Sequence, residues 1–165
     1  MTTQTAETSL PPRRLWRSTA AVILGFFTCA ILSLGTDQIL HLLKVYPPWG
    51  EPMWDPGLNA LALAYRCVYT VVAGYLTARL APRNPMCHVW VLAFIGLLMA
   101  VAGVIATSGM NLGPRWYPIA LAVTSVPCVW LGGILHRKTW NGRERLKREE
   151  RDQTIHGKPN PNALH

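Results

Sequence analysis

The feature that most constrains this chain is an arginine set inside an apolar segment long enough to cross a membrane. The segment covers residues 57–85, GLNALALAYRCVYTVVAGYLTARLAPRNP, and Arg66 lies well inside it. A charged side chain in the bilayer interior costs at least about 2.5–3.5 kcal/mol on insertion scales, so it normally pairs with another group. The best-placed partner is Asp37, in the preceding apolar segment. Any fold of this chain must therefore bring these two segments together.

Three more apolar segments of similar length set the fold class. Half of the residues are hydrophobic and only 15% are charged, and the lysines and arginines cluster toward the two ends. A helix that crosses a bilayer needs about 20 mostly apolar residues. The sequence therefore predicts an all-α fold, an integral membrane four-helix bundle, with helices over about 15–43, 58–80, 88–107 and 116–135.

The rest of the chain is predicted to form two tails and the connections between helices. Residues 1–14 are polar and proline-containing, which predicts a disordered N-terminal tail. The transmembrane domain covers 15–136, and residues 137–165 form a basic tail that begins as a short helical extension and ends disordered. Four prolines between Pro47 and Pro56 predict a structured loop there, because proline stops helices.

The first apolar segment has two interpretations. Basic residues, an apolar core and the triplet Ser33-x-Gly35 are typical of a signal peptide with its cleavage site. However, the apolar run resumes at Ile39, which is typical of a helix that stays in the membrane. We therefore expect the first helix to be retained.

The distribution of lysine and arginine predicts the orientation of the bundle. The basic residues before the first helix, in the connection at 79–88 and after the fourth helix all fall on one side of the membrane. Only Lys44 and Arg115 fall on the other side. Because positively charged flanks stay in the cytoplasm, we predict that both termini are cytoplasmic.

Charge and small residues also indicate partners. The net charge of +8 could suggest nucleic acid binding, but the basic residues flank apolar spans, so we predict no nucleic acid partner. We expect the basic tail to bind anionic lipid headgroups of the bilayer. Small residues at spacing four let helices approach closely, within the bundle or in a homo-oligomer or a complex with another membrane protein. These pairs are Ala60 and Ala64, Gly74 and Ala78, Gly96 and Ala100, and Ala102 and Ala106.

Polar residues of the first two helices are predicted to form one intramembrane site. At 1.5 Å per residue, Asp37 lies roughly 10 Å and Arg66 roughly 12 Å from the outer ends of their helices. Consecutive antiparallel helices are usually neighbours, so the two charges can pair. Tyr65 and Tyr69 are placed to donate hydrogen bonds to the same carboxylate, and His41 lies one turn from Asp37 on the same helix face.

Two interpretations of this site stay open. In the first, Asp37, Arg66 and His41 form a polar site that opens to the outer face and binds an anion or relays protons. In the second, the two charges neutralise each other and fix the register of the helices, with His41 at the headgroup boundary.

The sequence carries no pattern that predicts catalysis, a metal or a cofactor. Its four cysteines form no CxxC pair, and neither a nucleophile elbow nor a metal-ligand spacing occurs. His88 and His136 match in depth, but both lie at the membrane boundary and no second pair supports haem. We therefore predict no catalytic residue, no metal and no cofactor.

Two stretches carry a family resemblance. LAYRCVYTVVAGYLTARLAPRNPMCHVWVLAFIGLL and LGPRWYPIALAVTSVPCVWLGG contain YR, GY-x-x-A-x-LAP-x-x-PM-x-H, GP-x-WYP and GG. In this pattern the chain resembles a group of small four-helix bacterial integral membrane proteins that has no assigned activity. The resemblance covers about residues 58–135. It implies a bundle in the bacterial inner membrane and carries over no functional residue.

Three functions are compatible with these features. The first is a non-enzymatic accessory or scaffold protein that binds a partner, and the absence of a catalytic pattern favours it. The second is a transporter-like unit that uses Asp37, Arg66 and His41, although one neutralised pair on four helices makes a thin pathway. The third is a membrane enzyme acting on a lipid or a quinone, for which the sequence offers no catalytic group. We favour the first hypothesis.

Overall fold

A computed structural model describes residues 12–156, which form four α-helices and, over that range, no β-strand. The helices are α1 (Pro12–Leu42), α2 (Pro56–Leu80), α3 (Pro85–Thr107) and α4 (Trp116–His156). The protein is therefore all-α, as the sequence predicts. Residues 1–11 and 157–165, which hold most of the predicted N-terminal tail and the predicted disordered end, lie outside the described residues.

Three helices begin earlier than the hydropathy pattern predicts, and each has a proline in its first turn. α1 begins at Pro12 rather than at 15, so residues 12–14, predicted as part of the disordered tail, are helical. α2 begins at Pro56 rather than at 58, and the Asp55 carboxylate caps it by accepting hydrogen bonds from the amides of Gly57 and Leu58 at 2.7 and 3.2 Å. α3 begins at Pro85 rather than at 88. Proline is favoured at the first helical position since it has no amide hydrogen to leave without a partner.

The fourth transmembrane helix and the predicted helical extension form one continuous helix, which is longer than the short extension predicted. α4 continues without interruption through the expected end at residue 135 and reaches His156. The sequence RERLKREER, at 143–151, consists of good helix formers, so the polar tail prolongs the membrane-length helix. We name residues 137–156 the α4 extension. It is about 30 Å long at 1.5 Å per residue, and almost every side chain described in it is exposed.

The helices alternate in direction, and α2 and α3 lie between α1 and α4. Both α2 and α3 contact the other three helices, whereas no Cα atom of α1 comes within 8 Å of one in α4 among the described residues. The α1–α2 and α3–α4 loops meet at one end, where the Met53 amide donates to the Leu112 carbonyl at 2.8 Å. We name this end the paired-loop end. The α2–α3 connection and the α4 extension lie at the opposite end, the tail end.

Close packing of α2 on α4 depends on glycine. A Cβ atom at Gly132 would overlap the Val71 carbonyl oxygen, and one at Gly74 would overlap the Val129 carbonyl oxygen. The two backbones are therefore in direct contact, as small residues permit in helix pairs. Gly96, another member of the small-residue pairs, lies on an open face, with no atom within 4 Å of its Cβ position apart from its two chain neighbours and the backbone of its own helix turn.

The surface of the bundle is apolar rather than polar. Large side chains such as Phe27, Ile31, Phe94 and Ile105 are more than half exposed. All four helices contain a window of mean hydropathy between 1.3 and 2.6, and each is long enough and apolar enough to cross a membrane. Contiguous exposed apolar surface of this extent marks contact with lipid or protein rather than with water.

Candidate functional site

Near the paired-loop end, Asp37 of α1 and Arg66 of α2 form an ion pair. The Arg66 Nη2 atom lies 2.5 Å from Asp37 Oδ2, and the side chains are 8% and 29% exposed for Asp37 and Arg66, respectively. Equal depth on two adjacent antiparallel helices brings these groups together. A charge-assisted hydrogen bond of this kind is about twice as strong as a neutral one.

The second oxygen of the Asp37 carboxylate also has a partner. The Tyr65 hydroxyl donates to Asp37 Oδ1. The Tyr46 hydroxyl lies 3.5 Å from the Tyr65 hydroxyl and 3.4 Å from the Leu58 carbonyl oxygen, and either can accept its proton. Burial raises the pKa of Tyr46, which keeps its hydroxyl protonated and able to donate. Each oxygen of the Asp37 carboxylate therefore accepts a hydrogen bond, one from Arg66 and the other from Tyr65.

Tyr46 reaches this site because the chain reverses sharply after α1. Lys44 adopts a left-handed conformation with φ of 56°. The amides of Val45 and Tyr46 then donate back to the Leu40 carbonyl at 3.0 and 3.2 Å, which closes the end of the helix. This turn directs the Tyr46 ring inward, where it is 6% exposed.

The Arg66 guanidinium links three helices. Its Cζ atom lies 5.9 Å from the centre of the Tyr117 ring, near the start of α4. Arginine is attracted to the face of an aromatic ring by the ring's quadrupole. One side chain from α2 thus contacts Asp37 on α1 and Tyr117 on α4, two helices whose Cα atoms stay more than 8 Å apart in the described part of the chain.

Two predicted members of the site have other partners. The Tyr69 hydroxyl forms a hydrogen bond with Thr36 Oγ1 at 2.8 Å rather than with the Asp37 carboxylate. His41 Nδ1 lies 2.7 Å from the Pro47 carbonyl oxygen, and the imidazole packs on the Trp49 ring with centroids 4.1 Å apart. The His41 side chain, near the end of α1, therefore contacts the α1–α2 loop rather than Asp37, because that loop folds back over the end of α1.

The predicted site did not include Tyr46 or Tyr117, although Tyr117 contacts Arg66 and Tyr46 contacts Tyr65. A signal for Tyr117 was available. A long arginine side chain extends toward the nearer membrane surface, so Arg66 contacts residues closer to the helix ends than its own Cα. For Tyr46 no signal existed, since its position depends on the turn at Lys44.

In this polar network, all but one of the buried polar atoms of Asp37 and Arg66 have partners. Both carboxylate oxygens of Asp37 have partners, and Arg66 is held on two sides. The exception is Arg66 Nε, a buried donor without a hydrogen-bond partner. Among the described side chains, those of residues 16–154, there is no group of three or more His, Cys, Asp or Glu that could hold a metal ion.

We expect Tyr65→Phe to lower the free energy of unfolding by about 1–3 kcal/mol, because a charged acceptor loses a hydrogen bond. Tyr75→Phe is the matched control, since in the described structure the Tyr75 ring packs on His136 at 5.4 Å and its hydroxyl forms no hydrogen bond. The measurement is thermal unfolding of the purified protein in a neutral detergent. Equal stability of the two variants would contradict a role for the Tyr65 hydroxyl.

Comparison of the chain with protein-family models, with curated proteins and with solved structures finds no match.

Proposed function

We propose that this protein is a multi-pass protein of the bacterial inner membrane that acts as a non-enzymatic accessory or scaffold protein. The observation that carries the proposal is that Arg66 neutralises Asp37 and Tyr65 donates a hydrogen bond to it within the helices. A transport pathway needs polar groups that exchange partners with a substrate. Here both oxygens of the Asp37 carboxylate already have partners, and the Arg66 guanidinium on α2 contacts α1 and α4.

The α4 extension supports the same function. It places charged residues on an exposed helix that continues directly from a membrane-length helix. Leu146 is an apolar side chain in the middle of this polar segment and is 66% exposed. A scaffold of this kind would bind its partner through the extension while the bundle anchors it.

We also propose that the tail end faces the cytoplasm. Arg79 and Arg83 border the α2–α3 connection at that end, and the α4 extension adds further lysines and arginines. Lys44 and Arg115 lie at the paired-loop end. The positive-inside rule supports this orientation, and the family resemblance supports a bacterial inner membrane.

Labelling of single cysteines tests the orientation. In a cysteine-free background, we expect Glu51→Cys to react with a membrane-impermeant maleimide in intact cells, because the α1–α2 loop would face outward. Thr154→Cys, on the α4 extension, should react only after the cells are permeabilised. The opposite pattern would reverse the proposed orientation, and labelling of both in intact cells would refute the membrane topology.

Site-specific photo-crosslinking in cells tests the scaffold function. A photoreactive residue at Leu146 should give a discrete protein adduct, identified by mass spectrometry as a second copy or another protein. The same residue at Phe94, on the apolar surface of α3, is the control and should give lipid adducts. Absence of any protein adduct at Leu146 and at neighbouring positions of the extension would contradict the proposal.

A transporter-like unit is the second candidate, and the buried Arg66 Nε without a partner favours it. A donor left in this position could bind an anion that enters from the paired-loop end. On this hypothesis Asp37→Asn abolishes flux into proteoliposomes and leaves the fold intact. If the pair is architectural, the same substitution destabilises the bundle.

A further inference from the structure

A cavity of about 420 Å³ lies at the tail end, remote from the Asp37–Arg66 pair. It lies between the α2–α3 connection and the point where α4 leaves the bundle. Three arginines line it, one from each of its walls: Arg79 in the last turn of α2, Arg83 in the connection and Arg137 on α4.

The positive charge of this cavity has no acidic counterpart in the described structure. The sequence contains no aspartate or glutamate between Asp55 and Glu144. Among the side chains that the structure describes, residues 16–154, the one ion pair is that between Asp37 and Arg66, at the other end of the bundle. Three arginines with no carboxylate among them create a local positive potential that attracts anions.

Two further features of the cavity suit an anionic ligand. His136 lines it, and the Nδ1 atom of His136 is buried without a hydrogen-bond partner. The first residues of α3, Pro85 and Met86, also line it, and the Asn84 side chain does not cap that helix. The positive end of the α3 dipole therefore adds to the field of the arginines.

The rest of the lining is apolar and includes Ala78, Met86, Gly133 and Trp140. Trp140 is 57% exposed, and tryptophan is enriched at the level of lipid headgroups. The cavity thus combines a cationic rim with an apolar wall beside the lipid-facing surface of the helices. A ligand with a phosphate and an acyl chain matches both parts.

We propose that this cavity is a specific binding site for the headgroup of an anionic phospholipid. The phosphate lies among Arg79, Arg83 and Arg137, and the glycerol and acyl chains leave along the apolar wall. Arginine binds phosphate with two parallel hydrogen bonds, and basic pockets between membrane helices are typical headgroup sites. The site requires only that the tail end lies at the membrane surface, so it is independent of the scaffold function proposed above.

The test measures binding of phosphatidylglycerol to the full chain in a neutral detergent by native mass spectrometry. Phosphatidylcholine and inorganic phosphate are the comparison ligands, since the first carries a compensated phosphate and the second has no acyl chain. We expect one phosphatidylglycerol per chain, bound about tenfold or more tightly than phosphatidylcholine, and not displaced by excess inorganic phosphate.

The variant Arg79→Gln/Arg83→Gln/Arg137→Gln should weaken this binding about a hundredfold, since each arginine near a lipid surface contributes about a fivefold effect. All three side chains are exposed, so their replacement should leave the fold intact. The single variant Arg137→Gln, with an expected weakening of about fivefold, covers the case in which the triple variant does not fold.

A matched control removes the same charge from the α4 extension, as Arg145→Gln/Arg148→Gln/Arg151→Gln. It should weaken binding by less than about fivefold, because these residues do not line the cavity. A larger loss in the control than in the cavity variant would overturn the proposal and assign lipid binding to the extension. Displacement of the lipid by inorganic phosphate would also overturn it, in favour of a soluble anion.

Discussion

Asp37→Asn and Arg66→Leu should each destabilise the protein by about 3–5 kcal/mol, because each leaves one buried member of the pair without its partner. The double variant Asp37→Asn/Arg66→Leu should recover most of this loss. A neutral amide and an apolar side chain carry no uncompensated charge, so removing both partners costs less than removing one. The loss of unfolding free energy in the double variant should therefore be much smaller than the sum of the losses in the two single variants.

The measurement is a double-mutant cycle on thermal unfolding in detergent, repeated in lipid bilayers. Glu51→Gln is the control for loss of one negative charge, since Glu51 lies exposed in the α1–α2 loop and forms no ion pair in the described structure. Its stability should stay within about 0.5 kcal/mol of the parent protein. Stable single variants would show that the charges are not needed for folding, and the transporter-like hypothesis would then gain support.

Gly132→Ala should destabilise the protein by about 3 kcal/mol, because the new Cβ overlaps the Val71 carbonyl oxygen and α4 must move away from α2. Gly74→Ala, on the opposite side of the same contact, should have a similar effect through the Val129 carbonyl. Neither clash can be relieved by a change of rotamer, since the obstructing atoms belong to the backbone.

Gly96→Ala gives this prediction a control of opposite sign. Apart from the backbone of its own helix turn and its two chain neighbours, no atom lies within 4 Å of the Cβ position at Gly96, and alanine is the better helix former by about 0.5–1 kcal/mol. We therefore expect Gly96→Ala to raise the unfolding temperature while Gly132→Ala lowers it. A destabilising effect at Gly96 would indicate that this face packs against another chain.

The sequence was sufficient to predict the four helices and the Asp37–Arg66 contact. Hydropathy sets the number of helices, and an arginine inside an apolar segment needs a partner, for which Asp37 lay at a matching depth on the adjacent helix. Helix ends were less well predicted, since hydropathy ignores capping. Asp55 and the prolines at 12, 56 and 85 move three helix starts outward by two or three residues.

The rest of the site depends on local turns that hydropathy does not describe. The left-handed Lys44 turns Tyr46 into the bundle and brings the Pro47 carbonyl to His41, which removes His41 from the predicted site. Tyr69 contacts Thr36 rather than Asp37. These two residues are adjacent in sequence, but successive side chains on a helix point about 100° apart, so they face different neighbours. Depth along the helices predicted which groups were near each other but not which of them bonded.

The length of α4 has a mechanical consequence. Pro127 lies inside this helix and has no amide hydrogen, so the backbone has one hydrogen bond fewer at that point and bends more easily there. From Pro127 to His156 the helix runs on without a break. It is about 44 Å long over this part, so a change of about 10° in the bend displaces its tip by about 8 Å. A small change of angle at Pro127, within the apolar bundle, is thus amplified along the helix. Rearrangements of a few ångströms among the membrane-length helices become much larger displacements at the exposed end of α4, where other molecules can respond to them.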